Sequence, residues 1–248
     1  MDRVLIIGST GLLGLNLTSF LKNKKYKIYR FRNNKYNNLL KKSFCKIFFK
    51  EKKFDIIINL AAITDVDYCE KNKKYALKVN FDLCKNIYVF SKIKNPNTFF
   101  INFSTDQFYY NFKKNFENVN KINNFYSKTK RLNENYMKNK NAVTLRTNFF
   151  GKSLNVKKRQ SFTDEIYNNL KKNKYINMAD DILFNPVSID TLCKIILILM
   201  KKKTRGLFNV GSNSGMSKYK FAINFATRLK LNKKLINRIK MKNINFLA

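Results

Sequence analysis

Arg3-Val4-Leu5-Ile6-Ile7-Gly8-Ser9-Thr10-Gly11-Leu12-Leu13-Gly14 is the stretch that decides the fold. Val4 to Ile7 is an unbroken apolar run of strand length, the pattern of a strand covered on both faces. Three glycines follow at three-residue spacing, and then Leu13, Leu17, Phe20 and Leu21 recur at helical period, which gives one apolar helix face. Strand, glycine turn and helix in that order make the first βα unit of a parallel sheet. The chain holds only 7 glycines, so three of them within seven residues are not scattered at random. A dinucleotide pyrophosphate must come close to backbone N–H groups at a helix N-terminus, and side chains at Gly8, Gly11 and Gly14 would obstruct the turn and that approach. The spacing G-x-x-G-x-x-G differs from the more familiar G-x-G-x-x-G.

Working outward, strand-like runs recur at Lys27 to Phe31, Asp55 to Asn59, Thr98 to Phe103 and Ala142 to Arg146, separated by amphipathic stretches of helix length. Thr129, Leu132 and Tyr136 mark the buried stripe of a helix after the fourth strand. Beyond Gly151 the pattern turns helical, at Phe162 to Lys172, Ile189 to Met200 and Ser217 to Leu229, with one strand-like segment at Leu207 to Val210. Ser217 is the expected N-cap of the last helix, and Phe221, Phe225 and Leu229 its buried stripe. The expectation is an α/β fold, a Rossmann-like doubly wound parallel sheet with a small helix-rich C-terminal lobe. Residues 1–150 would form the NAD(P)-binding domain and 151–248 a substrate-binding lobe, shortened at its C-terminus.

The 248 residues suffice for a substantial core, and 44% hydrophobic with 15% aromatic content excludes an intrinsically disordered chain. The formal charge of +36 suggests a nucleic-acid partner at first sight. Only nine of the 51 basic residues are arginine, however, and the lysines are spread along the chain among Asn, Ile, Phe and Tyr. That distribution disfavours nucleic acid, whose binding surfaces are clustered, and leaves the charge free to steer anionic substrates. Cys45, Cys69, Cys84 and Cys193 lack metal-type spacing and there is no histidine, so no metal site is expected and the cysteines read as buried free thiols. The N-terminus starts directly on a strand, and the longest apolar run, Ile195 to Met200, is too short for a bilayer. A soluble cytoplasmic protein with no membrane partner is expected.

The end of the second strand carries Arg30, Arg32 and Asn33 where an NAD-selective site would carry an acidic residue for the ribose hydroxyls. A guanidinium pairs with a 2′-phosphate instead, so NADPH is the expected cofactor, with NADH the weaker alternative. Tyr126 and Lys130 open the helix after the fourth strand and, four residues apart, share one face. A nearby ammonium favours a phenolate and lowers its pKa from about 10, which suits a phenol to proton transfer. Ser104-Thr105-Asp106 lies at the C-terminal end of the fourth strand, the edge at which open α/β sheets bind ligands. Small residues at Leu60-Ala61-Ala62-Ile63-Thr64 would let a cofactor approach the backbone after the third strand.

These blocks together resemble the dTDP-4-dehydrorhamnose reductase family of the extended short-chain dehydrogenase superfamily. The resemblance runs from the glycine turn through Asn59 to Asp67, Ser104 to Asp106, Tyr126 to Glu134, Leu145 to Thr147, Asp181 to Pro186 and Gly206 to Ser212. It implies a cofactor site formed by Gly8, Thr10, Gly11, Leu12, Leu13 and Gly14, with Gly11 to Leu13 on the pyrophosphate. Arg32 joins it at the second-strand end, Ala61 and Ala62 at the adenosine-linked ribose and phosphates, and Phe103 at the nicotinamide. Thr105 would orient the sugar carbonyl, Tyr126 would donate its proton, and Lys130 would hold the nicotinamide ribose and tune Tyr126. Thr105, Asp106 and Phe149 would border the substrate.

The implied activity is NADPH-dependent reduction of a 4-keto sugar nucleotide, dTDP-4-dehydro-L-rhamnose to dTDP-L-rhamnose, by an enzyme compatible with a homodimer. The chain departs from the family in three places. The segment Gln107 to Asn123 has no Gly or Pro, Phe149 stands where these reductases usually carry Trp, and a basic, proline-containing C-terminal extension is lacking. Related 4,6-dehydratases carry Thr-Asp-Glu at the fourth-strand end; the amide of Gln107 cannot exchange the proton that dehydration needs. A sugar-nucleotide epimerase and a non-catalytic nucleotide-binding regulatory subunit of the same fold are the alternatives.

Overall fold

The structure is a computed structural model that describes residues 1–31, 36–109, 115–119, 121–155 and 160–240. β1 (Asp2–Ile7) passes through the glycine turn into α1 (Leu12–Leu21) and β2 (Tyr26–Phe31). Two helices, α2 (Tyr36–Leu39) and α3 (Lys42–Glu51), lead to β3 (Ile56–Asn59). Next come α4 (Val66–Lys71), then α5 (Lys73–Leu77), a π-helical turn at Lys78–Asp82 and α6 (Leu83–Ser91) in direct succession. β4 (Phe99–Ser104), α7 (Phe125–Met137) and β5 (Ala142–Phe150) complete the first half. The second half holds α8 (Phe162–Lys171), β6 (Ile176–Ala179), β7 (Leu183–Phe184), β8 (Pro186–Ser188) and α9 (Ile189–Lys202). It ends with β9 (Gly206–Val210), β10 (Met216–Ser217), α10 (Lys218–Arg228), a 3-10 turn at Lys233–Leu235 and β11 (Ile236–Ile239).

Seven parallel strands form the main sheet in the order β2-β1-β3-β4-β5, with β5 pairing β8 along its last residues and β9 along its earlier ones. The sheet is the expected doubly wound Rossmann-like one. Residue alternation explains its two covered faces: Val4, Ile6, Ile58 and Ile101 point into a core with α1 and α9, while Leu5, Ile7, Ile57 and Phe100 point into a core with α3, α6 and α7. From β1 the chain first builds outward to β2 and then crosses back to place β3 on the other side. The crevice above β1 and β3 is therefore a topological switch point, where ligands of such sheets bind.

The chain beyond Gly151 serves two places. β8, α9 and β9 return to the main sheet, with Leu192 and Ile196 of α9 in the core shared with α1. α8, α10, the β6–β11 pair and the β7–β10 pair surround a separate core with Ile166, Met178 and Phe221 at its centre. Ser217 caps α10 by accepting from the Lys220 N–H, as its position predicts. The buried face of α10 runs through Phe221, Ala222 and Ala226, and Leu229 is exposed. The stripe expected at Phe221, Phe225 and Leu229 is thus rotated, because the small alanines let the helix sit close to β6 and β11. A similar rotation affects α7, whose buried positions are Tyr126, Ser127, Lys130, Asn133, Glu134 and Met137, with Thr129 alone of the expected stripe fully buried. Among the described residues no helix is long and apolar enough to cross a membrane.

Candidate active site

The glycine turn is built for close contact on one side and openness on the other. Gly8 has φ +77, and a Cβ there would stand 2.7 Å from the Ala61 nitrogen and the Leu60 carbonyl carbon. A Cβ on Gly14 would meet the Gly8 oxygen at 2.4 Å, so these two glycines let β1, α1 and the end of β3 press together. Gly11 differs. Its φ is −74 and its imagined Cβ meets only the Gly8 oxygen, at 3.4 Å, an ordinary contact. Gly11 is the N-cap of α1, with no side-chain cap and no acidic residue in the first turn, so the helix N-terminus offers unclaimed N–H groups beside an exposed, side-chain-free backbone. That arrangement fits a phosphate group. Thr10, Leu12 and Leu13 flank it, and Ser9 anchors the turn by donating to the Phe31 carbonyl at 3.0 Å.

At the ends of β3 and β4 the remaining predicted residues converge. Ala61 is buried against Gly8 and Ala62 follows half-buried. Phe103 is the penultimate residue of β4, and its carbonyl accepts from the Lys130 ammonium at 3.0 Å. Thr105 and Tyr126 are both buried, with the Thr105 side chain near enough to the phenol to draw its pKa down. The Lys130 nitrogen lies 5.8 Å from the centre of the Tyr126 ring. Thr105, Tyr126 and Lys130 therefore form one cluster, two from the first turns of α7 and one from the β4 end.

The electrostatics differ from what the Tyr/Lys spacing suggests. Burial dominates at Tyr126 and pushes the phenol well above its ordinary value, with the neighbouring Thr105 side chain opposing the rise and Asp106 and Cys69 adding to it. The expected lowering by Lys130 is not among the causes, since the ammonium is turned to the Phe103 carbonyl. Burial also brings Lys130 down to about 8. At neutral pH Tyr126 is a protonated phenol, the form that donates.

Asp106 is held next to the cluster. Burial raises its pKa, while the Asn148 side chain at 3.5 Å and the Asn185 backbone N–H hold it down. Phe149 is half-buried and packs on the core shared by α1 and α9. Arg32 lies outside the described residues; Arg30 is exposed on β2 opposite Ile6. A cavity of about 190 Å³ lined by Arg3, Tyr29, Lys52 and Phe54 lies against the starts of β1 and β3, away from this C-terminal edge.

The family described as "RmlD substrate binding domain" matches residues 1–248. The chain belongs to that family. No curated protein matches it by sequence. The dTDP-4-dehydrorhamnose reductase of Bacillus anthracis str. Ames, crystallised with NADP, is 24% identical, with 100% of this chain and 87% of that one covered at a TM-score of 0.87. A reductase of the same name from Yersinia enterocolitica is 23% identical, covering 98% and 85% at a TM-score of 0.84. The ortholog from Clostridium acetobutylicum is 24% identical, covering 96% and 84% at 0.83. At such identities these likenesses fix the fold.

In this RmlD-family chain some residues of the site leave little trace in the sequence. Asn80, buried in the π-helical turn, accepts from the Ile63 N–H at 2.8 Å and donates to the Ile63 carbonyl and to Thr129, both at 3.0 Å. It binds the segment after β3 to the helix that carries Tyr126. Glu70, at the end of α4, accepts from the Phe125 N–H at the start of α7. The one available signal for Asn80 is a poor helix former inside an apolar helical run, Val79-Asn80-Phe81.

Proposed function

We propose that the chain is an NADPH-dependent reductase of a 4-keto sugar nucleotide, with dTDP-4-dehydro-L-rhamnose reduced to dTDP-L-rhamnose. The observation that carries this reading is the gathering of buried Thr105, Tyr126 and Lys130 at the C-terminal edge of β4, with the Lys130 ammonium 5.8 Å from the centre of the Tyr126 ring, together with the open glycine turn. NADPH, when bound, supplies the hydride for the carbonyl carbon. Reduction of a ketone also consumes one proton, and the Tyr126 hydroxyl delivers it to the carbonyl oxygen. Thr105, whose side chain lies beside the phenol, holds that oxygen in reach of Tyr126. Lys130 lies beneath the phenol and places a cation near the phenolate left after transfer, which stabilises it.

The residues assigned to the cofactor are Gly8, Thr10, Gly11, Leu12, Leu13, Gly14, Ala61, Ala62 and Phe103, with Arg32 on the 2′-phosphate. Asp106 and Phe149 belong to the substrate side. Residues 1–150 form the cofactor-binding unit and 151–248 the substrate-side lobe, with β8, α9 and β9 of the latter completing the sheet of the former. The NADP in the Bacillus anthracis reductase supports the cofactor assignment.

The test is NADPH consumption with the 4-keto sugar nucleotide. Wild-type protein is expected to turn over, and Tyr126→Phe to lose about a hundredfold or more in kcat. A Tyr126→Phe protein with full turnover would remove the phenol from the reaction. A wild-type protein that binds NADPH and reduces no 4-keto sugar nucleotide would instead support the non-catalytic alternative.

A further inference from the structure

We propose that Gln107 is a positioning residue that sets the Thr105–Tyr126 pair by linking the end of β4 to the N-cap of α7; its catalytic consequence rests on the reductase reading above. The link is a chain of hydrogen bonds. The Gln107 backbone N–H donates to the Thr105 hydroxyl oxygen at 3.2 Å. The Gln107 side-chain carbonyl accepts from the Asn124 amide at 3.2 Å, and the Gln107 backbone carbonyl from the Asn123 amide at 3.4 Å. Asn124 in turn accepts from the Ser127 N–H at 2.7 Å, while its own N–H donates to the Ser127 hydroxyl at 3.3 Å. Tyr126 lies inside that capping box, and its phenol stands near the Thr105 side chain.

The bonds at the two ends of this hydrogen-bond chain each have a consequence for the chemistry. A threonine hydroxyl has one proton and two lone pairs. With one lone pair taken by the Gln107 N–H, the Thr105 proton stays free to turn toward the neighbouring phenol, the direction that draws the phenol's pKa down. The side-chain bond sets the other half of the geometry, because Asn124 fixes where α7 starts and hence where Tyr126 stands relative to β4. The half-buried amide of Gln107 occupies the place where a dehydratase would carry an acid, and it joins the two elements on which the reacting side chains ride.

Variants can separate this link from the ordinary stability of the helix start. Gln107→Leu removes the acceptor, Gln107→Glu keeps one, and Asn124→Ser keeps a good N-cap while withdrawing the amide. Gln107→Leu and Asn124→Ser are each expected to lower kcat about tenfold with the NADPH KM within about twofold, because a misplaced donor loses rate without loss of cofactor binding. The double variant is expected to be no worse than either single one, the mark of two ends of one link. Gln107→Glu is expected to recover most of the rate.

The resonance of the Tyr126 ring carbon that bears the hydroxyl, read with ¹³C-labelled tyrosine, is expected to move in Gln107→Leu and Asn124→Ser and to return in Gln107→Glu. This readout needs no turnover. If the wild-type protein reduces nothing, the reductase reading fails while the resonance still decides whether Gln107 positions Tyr126. An unmoved resonance with full kcat in Gln107→Leu, or effects that simply add in the double variant, would overturn the proposal.

Discussion

The Arg146 guanidinium meets the Glu134 carboxylate edge-on, Nε to Oε1 and Nη2 to Oε2 both at 2.7 Å, with side-chain exposures of 0% and 2%. Glu134 also accepts from Ser104 at 2.6 Å and from Arg131 at 3.0 Å. The remaining Arg146 nitrogen donates to the Tyr109 hydroxyl at 2.8 Å and the Val119 carbonyl at 2.7 Å. The pair thus fastens α7, β4, β5 and the segment after Asp106 to one another, two turns along the helix from Tyr126. Removing one member leaves a buried charge alone, so Glu134→Ala is expected to cost about 3–5 kcal/mol in urea unfolding. Replacing both, as Glu134→Leu with Arg146→Met, removes the two charges together and is expected to recover most of that loss. A single variant within about 1 kcal/mol of wild type would show that the pair does not hold these elements.

The glycines of the first turn divide into two kinds that substitution tells apart. Gly14→Ala places a methyl 2.4 Å from the Gly8 oxygen and 2.7 Å from Ser9 Cα, both backbone atoms with little freedom to yield. It is expected to lower stability by about 2 kcal/mol or more. Gly11→Ala meets nothing nearer than 3.4 Å and is expected to leave Tm unchanged. The added methyl would stand on the open side of the turn, so NADPH affinity should fall about tenfold or more by fluorescence titration. Unchanged affinity in Gly11→Ala would move the phosphate site elsewhere.

All four cysteines are buried and free, as their spacing suggests. Burial pushes Cys45 and Cys193 up to about 12 and Cys84 up to about 11, and Cys69 is raised as well. A raised thiol pKa keeps the protonated, unreactive form to higher pH. At a pH of about 8.5, where an ordinary exposed cysteine is half thiolate, none of the four is expected to react with a thiol reagent until denaturant is added. Fast labelling of the native protein would mean that a helix covering one of them opens readily.

What was legible in the sequence follows from what kind of residue each element buries. β1, β3 and β4 bury apolar side chains on both faces, so their runs stand out, and the glycine turn is marked because its residue type is scarce in this chain. The face of α7 that carries Tyr126 is hidden for the opposite reason. Beside Tyr126 and Met137 its buried positions are Ser127, Thr129, Lys130, Asn133 and Glu134, polar groups hydrogen-bonded to their neighbours, and hydrophobic periodicity does not register them. Leu132 and Tyr136 mark its half-buried flank instead. β8 spans three residues and is defined by pairing with Asn148 to Phe150, a relation between distant segments that no local pattern carries. Asn80 and Gln107 act through bonds to partners 17 to 49 and 2 to 17 residues away, and so each looks like an ordinary surface amide until the chain is folded.

Lys130 gives a pH test of the site that needs no substrate. Its native pKa of about 8 lies below the ordinary 10.5, with burial the largest cause. Below about pH 8 both native and unfolded chains hold the proton, and the cost of burying an ammonium is present in full. Between these two values the unfolded chain holds a proton that the native chain has shed, so this group makes stability rise with pH. Lys130→Met removes the titration while keeping similar bulk. Tyr126 and the thiols, whose raised values act in the opposite sense, are present in both proteins and leave the difference nearly untouched. The stability of wild type minus that of Lys130→Met is therefore expected to climb from about pH 8 to about pH 10.5 and to be flat on either side. A difference that stays level across that window in urea unfolding would mean that Lys130 keeps an ordinary, solvated ammonium and does not sit beneath Tyr126.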